Sequence, residues 1–160
     1  MAANKRPYTG TSDGIARRKR GGTEEWVTQA IAASAGAFTN LGTYGVRDQK
    51  GHKGVLSVHS TGRAMDLGFK DRKLAVQFLR QAIPFANELG IECVLDYFPK
   101  PFGRGWRCDR ARWKRYVKRT ISGAPGGMWI HVEISPQAAD SVIFVKAGFL
   151  KAFGEIHHPA

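Results

Sequence analysis

The sequence predicts an α+β domain: a small antiparallel sheet flanked by helices. Three observations predict it. A chain of 160 residues, 42% of them hydrophobic, is long enough for one buried core and needs no second domain. Two stretches, Thr23 to Gly36 and Asp71 to Gly90, carry apolar residues at helical spacing. Four shorter ones, Val55 to His59, Ala64 to Phe69, Ile91 to Phe98 and Met128 to Ile134, read as strands, the first two joined through Gly62 in a hairpin-like bend.

In chain order, residues 1 to 22 combine Lys5, Arg6 and the run Arg17 to Arg20 with Pro7, four glycines and almost no large aliphatics. Such a composition does not offset the entropy of folding, so a flexible basic arm is expected there, with residues 23 to 160 as the folded domain. Thr23 before Glu24 and Glu25 reads as an N-cap with acidic residues in the first turn, and Trp26, Val27, Ala30 and Ile31 then form the apolar stripe. Asn40 to Gly54, rich in glycine and charge, reads as a loop containing Arg47 and His52. Asp71 caps a helix with core residues at Ala75, Phe78, Leu79, Ala82, Ile83, Ala86 and Leu89, kinked by Pro84 and stopped by Gly90.

Beyond the Ile91 strand and a loop from Pro99 to Gly105, Arg104 to Arg119 interleaves eight basic residues with Trp106, Trp113 and Tyr116. It reads as a basic helix whose aromatics face the core, or as a rim that holds an anionic polymer. Gly123 to Gly127 reads as a flexible loop. Ser135-Pro136 opens a helix, cap first and proline second, whereas Val142 to Val145 suits helix and strand alike. The closing residues, with His157 and His158, read as a loose tail.

The formal charge of +12 and a pI near 10.2 draw the chain to polyanions: nucleic acid, anionic lipid or acidic wall polymers. Cys93 and Cys108 match no zinc-finger or redox spacing and read as unpaired structural thiols. No apolar stretch follows the basic amino terminus as a secretory signal would need, and none reaches transmembrane length. No membrane insertion is expected.

Chemistry concentrates in two places. Ser57-Val58-His59-Ser60-Thr61-Gly62-Arg63-Ala64-Met65-Asp66 sets an imidazole and a carboxylate seven positions apart across a turn. In Met128-Trp129-Ile130-His131-Val132-Glu133-Ile134, strand alternation puts His131 and Glu133 on one face and the aliphatics on the other. Two imidazoles and one carboxylate around an open position are the usual ligand set of a hydrolytic zinc.

The pattern Ser57-x-His59-x-x-Gly62-x-Ala64-x-Asp66, followed by a hydrophobic His-x-Glu strand, resembles the zinc peptidase superfamily of D-alanyl-D-alanine carboxypeptidases and L-alanyl-D-glutamate endopeptidases, whose fold the hedgehog signalling domain shares. The resemblance covers roughly residues 40 to 135. It implies zinc (Zn2+) held by His59, Asp66 and His131, and hydrolysis of peptide bonds in peptidoglycan stem peptides. Where many members carry a catalytic glutamate three residues before the last histidine, or a second histidine two before it, this chain has Met128 and Trp129. Strand geometry makes Glu133 the candidate general base, with orientation of a ligand imidazole as its other reading. Arg47 resembles the arginine that members carry upstream of the first motif to bind substrate carboxylate or the oxyanion. Arg63 competes for that role, and Ser57 supports either the ligand geometry or the substrate.

These features fit a phage lysin or a virion-associated wall-degrading protein, made in the cytoplasm without a secretory signal and acting at the bacterial wall. Its expected partners are peptidoglycan, anionic wall polymers and other virion proteins. The alternative is a catalytically silent virion or polyanion-binding module that keeps the fold. No histidine-asparagine-histidine or multi-carboxylate magnesium pattern is present, which argues against a nuclease and against nucleic acid as the partner.

Overall fold

The computed structural model describes residues 3–119 and 126–156. The expected α+β class is what forms. A six-stranded sheet has the order β1 (Phe38–Gly42), β4 (Ala64–Phe69), β8 (Trp129–Ile134), β5 (Ile91–Asp96), β6 (Arg104–Arg107), β7 (Arg112–Arg115), every neighbouring pair antiparallel. A separate hairpin pairs β2 (Asp48–Gln49) with β3 (His52–Leu56). The helices are α1 (Gly21–Ala33), α2 (Arg72–Ala82), α3 (Ala86–Leu89), α4 (Pro136–Asp140) and α5 (Val142–Phe153).

Register decides what each face of the sheet carries, because directly paired residues project to the same side. Met65 pairs with Val132 and Val132 with Val94, which in turn pairs with Trp106. That row is buried in one cluster with Trp26, Phe78 and Phe149 of the helices. Trp26 centres the cluster: its ring meets Phe149 edge-on at 5.0 Å, and its indole N–H donates to the Leu89 carbonyl at 3.0 Å. One residue along, Asp66 pairs with His131 and His131 with Leu95 on the opposite face.

Local chemistry explains most helix limits. The Asp71 carboxylate accepts from the Leu74 amide, and after α2 the chain tightens to a 3-10 turn over Ile83–Phe85 at Pro84 before α3. Ser135 and Ser141 cap α4 and α5, so Val142 to Val145 are helical. Helix α1 starts two residues before the expected cap. Thr23 is buried and donates its hydroxyl to the Gly62 carbonyl instead, and a side chain at Gly22 would stand 1.8 Å from the Ala138 carbonyl oxygen, so glycine lets α1 and α4 touch.

Four expectations are corrected. The arm expected to be flexible lies against the domain over residues 3–20. Arg6 reaches Asn87 and the carbonyl of Ala86, Tyr8 reaches Glu133, Thr9 reaches Glu92, and the Ala16 amide donates to the Ser60 carbonyl. Buried acceptors and ion pairs supply the stabilisation that its composition lacks. Asn40 to Gly54 is not one loop, since it holds the end of β1 and the β2–β3 hairpin.

His59 sits on a 3-10 turn, Val58–Thr61, rather than at a strand end. The segment from Arg104 is the β6–β7 hairpin, not a helix. Basic residues three apart at 104, 107 and 110 imitate a helical face, but the cross-strand pair Trp106 and Trp113 fixes a two-residue period. Of the expected flexible loop, Gly123 to Pro125 lie outside the described residues, as do His157 and His158. Both cysteines are free and buried.

Candidate metal centre

Strand pairing makes the first contact. Asp66 on β4 stands directly opposite His131 on β8, and its Oδ1 lies 2.9 Å from His131 Nδ1. The 3-10 turn makes the second. Ser57 Oγ accepts from the His59 amide at its start, and Gly62 closes it at φ 74°, a conformation that favours glycine. His59 Nε2 thereby comes to 3.1 Å from Asp66 Oδ2. One donor atom from each of His59, Asp66 and His131 lies within 4.8 Å of the others, a group that can hold a metal ion.

The surroundings assign the ring nitrogens. The Thr43 carbonyl, 2.5 Å from His59 Nδ1, can only accept, so Nδ1 carries the proton and the Nε2 lone pair points at Asp66. Glu133 Oε1 accepts from His131 Nε2–H at 2.9 Å, and the neutral ring then aims the Nδ1 lone pair at Asp66 from the other side. Two neutral imidazoles so arranged direct lone pairs at a carboxylate, which is repulsive until a cation lies between them. Without a metal, a proton on His131 serves that role. Burial alone would lower the His131 imidazole, but Asp66 and Glu133 raise it to about 9. Burial works to raise Asp66, yet its hydrogen bonds to His131 and His59 hold it below the usual carboxylate range. The donor set therefore fits a divalent cation.

The other expected site residues fall in different places. Glu133 is buried with both oxygens engaged, since Oε2 accepts from the Tyr8 hydroxyl at 2.5 Å. It orients His131, and its expected role as base is not what this contact pattern favours. Arg63 is wholly buried, paired with Asp13 at 2.9 Å and Glu92 at 3.1 Å and bonded to Thr9 and the Ile134 carbonyl. It is a structural cation, and the substrate role is corrected on that ground. Ser57 serves ligand geometry through its cap. Arg47 keeps an exposed guanidinium with no ion-pair partner among the described residues, while its amide is held by Ser60 Oγ at 2.9 Å beside the His59 turn.

Sequence reasoning missed Ser60, whose hydroxyl also donates to the Gly45 and Arg47 carbonyls, and Thr43, whose own hydroxyl is anchored on Glu24 at 2.6 Å. Neither carries a sequence signal, because each acts through loop backbone. Tyr97 is a further omission: its ring stacks on Trp129 at 4.0 Å, and burial together with the Asp66 charge raises its phenol. Compared with family models, curated proteins and solved structures, the chain matches none.

Proposed function

We propose that this protein is a zinc metallopeptidase that hydrolyses peptide bonds in peptidoglycan stem peptides, of D,D-carboxypeptidase or endopeptidase type. One observation carries the reading: donor atoms of His59, Asp66 and His131 converge to within 4.8 Å of one another, while Thr43 and Glu133 engage the far ring nitrogens of the two imidazoles. Two histidines and one carboxylate leave a coordination position open, which suits catalytic rather than structural zinc. Zinc bound there supplies Lewis acidity, activating water and polarising the scissile carbonyl.

The chain's own residues divide the remaining work. Thr43 and Glu133 hold the two imidazoles, and Arg47, exposed and without an ion-pair partner among the described residues, would take a substrate carboxylate. The cationic β6–β7 hairpin offers Arg112 and Lys114, both exposed, to anionic wall polymers. Among the described residues no helix is long and apolar enough to cross a membrane. Action at the bacterial wall, by lysis or from a virion alongside other virion proteins, fits this reading.

The other reading is a virion or polyanion-binding module without catalysis. It is favoured by Glu133, whose two oxygens are both engaged in holding His131 and Tyr8. Purified peptidoglycan incubated with the zinc-loaded protein separates the two. New amino or carboxyl termini in the released muropeptides support the peptidase, whereas saturable binding with no new termini supports the module.

A further inference from the structure

The amino-terminal segment reaches the metal centre. The Tyr8 hydroxyl donates to Glu133 Oε2 at 2.5 Å, Glu133 Oε1 accepts from His131 Nε2 at 2.9 Å, and the other nitrogen of that ring faces Asp66 at 2.9 Å. Three side chains thus connect residue 8 to a ligand atom across 125 positions of sequence between Tyr8 and Glu133. Tyr8 itself is held firmly. The Arg107 guanidinium lies over its ring, 4.3 Å from the centroid. Burial and the adjacent Glu133 raise the phenol, which keeps it a donor.

Pins on both sides hold the segment that carries it. Before it, Arg6 bonds Asn87 at 2.9 Å and the Ala86 carbonyl at 3.1 Å. After it, Thr9 bonds Glu92 at 2.8 Å, while the Gly10 carbonyl and the Asp13 carboxylate both accept from Arg63. Glu133 has reason to need this donor. A buried carboxylate with one oxygen unpaired carries a desolvation cost and is free to turn, and a turned Glu133 no longer holds the His131 ring. Partners of this kind, one step behind a ligand, typically change metal affinity by about 10- to 100-fold.

We propose that Tyr8 is a positioning residue of the metal centre, and that residues 6–13 form a built-in clasp through which the amino terminus sets the site's affinity for its divalent cation. The inference rests on the metal reading above and goes beyond it, since neither the ligand set nor the peptidase chemistry requires the amino-terminal segment.

The test is Tyr8→Phe, which leaves the ring under Arg107 and removes only the hydroxyl. Zinc affinity of the full chain is measured by competition with a chromophoric chelator, beside thermal unfolding of the metal-free proteins. The expected result is affinity weaker by about tenfold or more, compared at a temperature where both metal-free proteins are folded, with metal-free melting lowered only by the loss of one hydrogen bond. The same substitution in a Glu133→Ala background should then cost no further affinity, because the oxygen it served is gone. Equal affinity of Tyr8→Phe and the unmutated chain overturns the clasp and leaves the metal site standing. An effect of full size in the Glu133→Ala background also overturns it, since the hydroxyl would then act by another route. An unmutated chain that takes up no zinc removes the metal reading and the clasp together.

Discussion

On one face of the sheet Met65, Leu67, Val94, Ile130 and Val132 are sealed beneath the helices with Trp26 and Phe149. On the other, one residue along the same strands, stand Asp66, His131 and Glu133. All of these residues but the partly exposed Asp66 are buried, yet different interactions hold the two faces. The first depends on apolar area, each fully buried large side chain contributing about 1.5–3 kcal/mol and tolerating neighbours of similar volume. The second depends on pairing: every buried polar side-chain atom among the described residues has a partner, and each such partner is specific. The comparison teaches that the helix face should fail in stability while the site face should fail in metal affinity.

The largest expected effect on folding is where the two regimes meet. Arg63 is a wholly buried cation between Glu92 and Asp13, and Arg63→Ala should destabilise by about 3–5 kcal/mol because it strands a buried carboxylate. Chemical denaturation reads this directly, and a loss below about 1 kcal/mol would contradict the pairing account. Trp26→Ala, on the helix face, should cost a similar 3–5 kcal/mol through the cavity it leaves, with zinc affinity of the folded fraction unchanged. A weaker zinc affinity in that variant would break the separation of the faces.

Next in size is Glu133→Gln, which sharpens the comparison within the site face. As an orienting group it should lower zinc affinity about tenfold and cleavage modestly. Full zinc retention with a rate loss of about a hundredfold or more would restore Glu133 as the general base. The smallest effect concerns the surface. Binding to isolated cell walls should weaken steadily as salt is raised if the cationic hairpin holds anionic polymer, and salt-independent binding would dispose of that contact.

What was legible in the sequence divides in the same way. The shared face of His131 and Glu133 follows from strand alternation, a local rule, and the grouping of His59, Asp66 and His131 from the resemblance, whereas the β4–β8 pairing that sets Asp66 opposite His131 carries no local signal. The caps at Asp71 and Ser135 were readable by local rules too. The clasp was not, since Arg6, Tyr8 and Thr9 find their partners more than 80 positions away and their composition alone describes a disordered tail. In the sequence Arg63 only competes with Arg47 for the substrate role that the resemblance implies, and the fold alone reveals the two carboxylates that pair with it. The β6–β7 hairpin was hidden by charges spaced three apart, a pattern set by its surface and not by its core.

The central claim is that His59, Asp66 and His131 hold one zinc, and elemental analysis of the purified chain beside His131→Ala tests it most directly. The account predicts about one zinc per chain in the unmutated protein and a near-complete loss in the variant, because two remaining protein ligands do not make a stable site. A metal-free unmutated protein, or full occupancy in His131→Ala, would contradict it.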